Sequence, residues 1–119
     1  NYETDLFKNL IKASSEVTKS KVTINNSASH RVIADHIRSS VFLIAEGVLP
    51  SNDGRGYVLR RILRRAIRHS NILGYQKPFM NELSDYLVDE MGSAYPELYE
   101  NKDFVKISFR AQERRIGSK

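Results

Sequence analysis

An all-α fold is predicted for this 119-residue chain by three features of its sequence. Apolar residues recur at intervals of three and four, the alternation of a half-buried strand is nearly absent, and glycines or prolines stand where helices would stop or start. A compact domain of about five helices is expected, with a short extended piece near residues 22–24.

The elements follow in order. Thr4 or Asp5 suits the N-cap of a first helix carrying Leu6, Phe7, Leu10, Ile11 and Val17, which should fade near Ser20. The polar stretch SKVTINNSAS reads as a loop, in which Val22, Thr23 and Ile24 form the extended piece. Ser27 or Ser29 opens a second helix through HRVIADHIRSSVFLIAEG, closed by Gly47. Its second half is apolar almost all round, so it is expected to be the most buried element. A loop over residues 48–55 leads into an arginine-rich helix from about Gly56 to Leu73, closed by Gly74. Pro78 suits the first turn of a fourth helix with Phe79, Leu83, Tyr86, Leu87 and Met91 on one side. Pro96 starts a fifth through Leu98, Phe104, Val105 and Phe109.

With 40% hydrophobic residues, a chain of this length is expected to form a single domain, residues 1–119. The absence of cysteine excludes disulfides, thiolate metal sites and a thiol nucleophile, and points to a reducing compartment such as the cytoplasm. No apolar run approaches the ~20 residues of a membrane span, so no membrane partner is expected, and the first residues are unlike a signal peptide. A start without methionine reads as a piece of something longer.

The net charge of +5 is unevenly placed. Residues 30–76 carry eight arginines against three acids, whereas residues 77–106 carry three lysines against seven acids, so an anionic partner is expected for the middle of the chain. At about 100° per residue, Arg60, Arg64, Arg68, Arg61 and Arg65 fall within one arc of the arginine-rich helix, with Tyr57 among them. Val58, Leu59, Ile62, Leu63, Ala66 and Ile67 fill the remainder. No acid lies between Arg55 and Asn81 to neutralise the stripe. Like charges three or four residues apart cost a few tenths of a kcal/mol per pair, so unless acids of the fourth or fifth helix neutralise them, a phosphate backbone explains the stripe better than a merely solvated face. The planar guanidinium fork, which bonds phosphate oxygens in pairs, supports this and adds Arg55 to the candidates.

Phosphate contacts give affinity and register, not sequence reading. For specificity, the candidate is Asn52, a short amide beside Gly54 and Gly56 at a helix start where exposed N–H groups attract anions. Composition alone favours a plainer role, with Ser51, Asn52 or Asp53 capping the helix. Arg31, Asp35 and Arg38, at spacings of three and four, read as a structural ion network. His30 and His36 point in different directions on a helix, and no metal site is expected. No nucleophile with an adjacent base is found, so the chain reads as a binder without a reaction of its own.

The run HRVIADHIRSSVFLIAEGVLPSNDGRGYVLRRILRRAIRHSNILG, residues 30–74, closely resembles the alanyl-tRNA synthetases, in the helical domain that follows their class II catalytic domain. The upstream NYETDLFKNLI is similar to the family's sequence just after its third catalytic motif, and the resemblance extends to about residue 106. The final SFRAQERRIGSK departs from the acid-rich helix the family has there.

The resemblance implies a parent ligase that activates alanine with ATP and Mg²⁺ in an upstream catalytic domain and transfers it to tRNA. It places zinc and editing in downstream segments, with no cofactor in residues 1–119. The family selects its tRNA by a guanine–uracil wobble pair in the acceptor stem, contacted by the asparagine of a PSN loop, which matches Asn52. An aspartate from a later helical segment takes the other side of the pair and corresponds to no acid of this chain. The stripe would then hold acceptor-stem phosphates, with Tyr57 stacking on or bonding to a ribose. A cytoplasmic location, or an organellar one, follows from the family. The rival expectations are a basic helical module in a DNA major groove, or one docked on an acidic protein surface or on the chain's own acidic residues 82–103; DNA is not expected as a partner if the resemblance holds.

Overall fold

The computed structural model describes residues 2–75 and, beyond them, the separate positions Glu82, Asp85, Tyr86, Val88, Asp89, Pro96, Glu100, Lys102, Asp103, Ile107 and Arg110. Three helices are delineated: α1 (Tyr2–Thr18), α2 (Ser27–Ala45) and α3 (Gly54–Ile72). The fold is all-α, and no strand occurs among the described residues. Three helices rather than five are therefore established. The expected fourth and fifth fall on residues mostly outside the described ones, although the separate positions just named are each helical.

The central element is α2, which packs against α1 on one side and α3 on the other. Its residues Ile33, Ala34, Ile37, Val41 and Ile44 recur at helical spacing and are almost wholly buried. They meet Leu6, Leu10 and Ala13 of α1 and Leu59 and Leu63 of α3 in one cluster, joined by Val88. Burying each large aliphatic side chain contributes about 1.5–3 kcal/mol, so this cluster rather than intrinsic helix propensity holds the three helices together. None of the helices among the described residues is long and apolar enough to cross a membrane.

Both glycine stops work as the sequence predicts. Gly47 has φ +92°, and its N–H donates to the Ile44 carbonyl while that of Val48 donates to the Leu43 carbonyl, at 2.9 and 3.0 Å. Gly74, with φ +91°, repeats the pattern, its N–H reaching Asn71 and that of Tyr75 reaching Ser70. These paired bonds satisfy carbonyls that a helix end leaves open, and a left-handed residue makes them possible.

Two local expectations are corrected. Thr4 and Asp5 lie inside α1, which already begins at Tyr2, so neither is its cap. Residues 22–24 form no extended strand, because Asn26 gathers this loop around itself. Its Oδ1 accepts from the Thr23 N–H at 2.7 Å, Thr23 Oγ1 accepts from the Asn26 N–H at 3.3 Å, and Asn26 Nδ2 donates to the Lys21 carbonyl at 2.9 Å. Such reciprocal side-chain bonds offer the backbone an alternative to a ladder and wind it into a turn.

Candidate nucleic-acid interface

Helix α3 shows how one sequence builds two surfaces. Leu59, Leu63 and Ala66 are fully withdrawn from solvent and Ser70 nearly so, whereas Arg61, Arg64, Arg65 and Arg68 are exposed and Arg60 is half-buried. The buried arc is narrower than expected: Val58, at its edge, is 53% exposed. None of the five arginines meets a carboxylate among the described residues. The stripe therefore keeps its full charge, with its repulsion uncompensated by any described neighbour.

The other two candidate contacts are engaged differently. Arg55 is ion-paired with Glu46, which stands just past the end of α2, and both side chains remain more than half exposed. Tyr57 lies under Arg61, whose guanidinium carbon is 5.9 Å from the ring centroid. This is cation–π distance, and the ring steadies Arg61 while remaining 42% exposed.

The loop before α3 is held against the helix by a close approach. A Cβ on Gly56 would stand 2.2 Å from Ser51 Oγ and 2.4 Å from the Leu49 carbonyl oxygen, closer than any side chain permits. Only glycine lets residues 49–51 fold over the first turn in this way. Ser51 Oγ–H then donates to the Asp53 carbonyl at 2.9 Å, and Asp53 occupies the N-cap position without a side-chain cap bond. The capping reading of this loop is thus not what its side chains do. Asn52 is exposed, and its Oδ1 accepts from Arg60 Nη1–H at 2.8 Å. Asn52, Tyr57, Arg60, Arg61 and Arg64 together line an open concavity of about 460 Å³.

This pairing of Asn52 with Arg60 is the contact that sequence reasoning missed. A loop residue and a helix residue eight apart give no periodic signal, and only the folded-back loop brings them together.

Behind the arginine face, histidines and serines tie the helices. Ser14 and His30 share a buried hydrogen bond of 2.9 Å between α1 and α2, and Ser29 and His69 share one of 3.0 Å between α2 and α3. Of the expected ion network, Asp35 meets Arg38 at 3.4 Å and His36 at 3.3 Å, while Arg31 is exposed and forms no ion pair with Asp35. Burial pushes all three histidines below the usual imidazole range. Arg65 adds to this at His36 and His69, and Arg68 at His69. The imidazoles therefore favour the neutral form. No group of three or more His, Cys, Asp or Glu side chains that could hold a metal ion occurs among the described residues.

A basic helical face beside an amide-bearing loop is the kind of surface that holds nucleic acid, and comparison with known families gives that surface its context. Residues 1–116 match the family described as tRNA synthetases class II (A), and the chain belongs to that family. Within it, the chain is similar to alanine–tRNA ligases. It is 58% identical over 116 residues to that of Ruegeria sp. (strain TM1040), 56% to that of Sinorhizobium medicae (strain WSM419) and 54% to that of Rhizorhabdus wittichii. The aligned part is 98% of this chain but 13% of each relative's length. The match also runs past residue 106, where the resemblance had been expected to end.

Proposed function

We propose that the chain is the acceptor-stem-binding segment of an alanine–tRNA ligase, with the stripe on phosphates and Asn52 on the guanine–uracil wobble pair. The observation that carries this reading is the five-arginine face, without a carboxylate among the described residues, of which Arg60, Arg61 and Arg64 line one concavity together with Asn52. Duplex RNA has a wide, shallow minor groove in which a short amide on a loop reaches base edges. Arg61, Arg64, Arg65 and Arg68 hold the backbone in register, and Asn52 discriminates within that register.

In this reading the whole enzyme attaches alanine to its tRNA in the cytoplasm. The family resemblance implies that ATP and Mg²⁺ are bound by a catalytic domain upstream, and the guanidiniums and amide of this site do not suit a divalent cation. The chain's contribution is to bind and orient the stem so that its 3′ end reaches that domain. Asn52 is named by the family resemblance and the arginines by their helical spacing.

Binding of acceptor-stem hairpins with a wobble or a Watson–Crick pair, across a salt series, tests the reading. Asn52→Ala is expected to remove discrimination while leaving the salt slope unchanged. Arg64→Ala is expected to weaken both stems alike and lower the slope by about one. Equal weakening of both stems by Asn52→Ala would overturn the role of Asn52. Absence of any RNA affinity at low salt would leave an acidic protein surface as the better partner.

A further inference from the structure

Arg60 differs from the rest of the stripe. It is half-buried where the other four are exposed, and its Nη1–H donates to Asn52 Oδ1 at 2.8 Å. A guanidinium carries donors and no acceptor, so the amide atom facing it has to be the oxygen. An unrestrained asparagine turns either its oxygen or its NH₂ toward a ligand. Here the oxygen is engaged, and the NH₂ keeps both N–H donors without a partner among the described residues.

We propose that Arg60 is a positioning residue that locks Asn52 with its NH₂ outward, so that the loop recognises a hydrogen-bond acceptor on the minor-groove edge and not an amino group. This rests on the reading of Asn52 given above and adds which chemical group Asn52 takes. In an RNA minor groove the base acceptors are purine N3 and pyrimidine O2, and the base donor is the guanine N2 amino group. Two outward N–H groups fit the uracil O2, whose place in the groove differs between a wobble and a Watson–Crick pair, and are mismatched to the amino group. The amino group then falls to an acceptor elsewhere. Arg60 thereby leaves the set of residues whose only task is grip.

The test uses the full-length enzyme and the ratio of its affinities for wobble and Watson–Crick hairpins. Asn52→Ala and Arg60→Ala are each expected to lower that ratio by roughly tenfold, the scale of one base contact, and the double variant to lower it no further. Asn52→Asp keeps an acceptor for Arg60 but has no N–H, and is expected to lose the ratio as fully as alanine does. Arg60→Gln restores a donor without the charge, so most of the ratio should return while the salt slope falls by about one. Replacing the guanine with inosine deletes the amino group, and is expected to cost the native enzyme and the Asn52→Ala variant the same factor.

Two results would overturn the inference. One is Arg60→Ala weakening both hairpins alike with the ratio intact, as Arg64→Ala should. The other is inosine costing the native enzyme but not the Asn52→Ala variant, which would place the amino group on Asn52. If Asn52→Ala itself leaves the ratio unchanged while Arg64→Ala lowers the salt slope, the reading of Asn52 fails and takes this inference with it.

Discussion

On one face of α3, Leu59, Leu63 and Ala66 are wholly withdrawn from solvent, while on the opposite face Arg61, Arg64, Arg65 and Arg68 stand in it without a carboxylate among the described residues. The first face is demanding about shape, because close-packed interiors lose contacts outright when a methyl group is removed. The second is demanding about sign, because its side chains touch little of the protein and matter only to what approaches from outside. A substitution should therefore separate stability from binding according to the face it falls on.

The largest expected effect is on the buried face. Leu63→Ala leaves a cavity beside α2 and is expected to cost about 2–5 kcal/mol in urea unfolding. Arg64→Ala should shift the same midpoint by less than about 0.5 kcal/mol while weakening RNA binding. If the two variants lost comparable stability, the division between the faces would not hold.

Gly56→Ala comes next and joins the two properties. Its Cβ collides with Ser51 and the Leu49 carbonyl, so the loop has to lift and carry Asn52 away from Arg60. A cost of about 1–3 kcal/mol is expected, together with loss of wobble discrimination. Retained discrimination in a folded Gly56→Ala variant would show that the loop position is not what Asn52 depends on.

A smaller effect is expected from acid. His30, His36 and His69 titrate below their ordinary value of 6.5 in the folded chain, chiefly through burial. The unfolded state then takes up protons first, so this contribution is complete above pH ~6.5 and declines as the pH falls toward the depressed folded values. Urea midpoints measured at about pH 7.5 and 5.5 should show the lower stability at the lower pH. An Arg65→Ala variant, which removes a charge that holds His36 and His69 down, sharpens the assignment if its pH dependence becomes shallower.

Much of this was legible in the chain. The spacing of Ile33, Ile37, Val41 and Ile44, the stops at Gly47 and Gly74, and the separation of arginines from leucines along α3 are properties of a helix that any regular backbone would display. The errors arose where side chains bond the backbone locally. Asn26 bonds Thr23 and Lys21, and a turn opens at Ile24, the last residue of the expected extended piece. Val58 reads as part of the apolar arc, yet it stays exposed, because no described neighbour covers that edge of α3.

By itself, then, the sequence determined that the chain is helical, that α3 has one apolar face for a core and one basic face, and that a glycine-flanked amide precedes it. These are periodic or local properties, carried by residues at most a few turns apart. Tertiary structure alone decided that the loop folds back over Gly56 and that Asn52 Oδ1 meets Arg60 instead of capping the helix. It also decided that Arg55 pairs with Glu46 while the stripe meets no carboxylate among the described residues. The reason is geometric: hydrogen bonds and ion pairs act over about 3–4 Å, and which groups come that close depends on how α2, the loop and α3 pack.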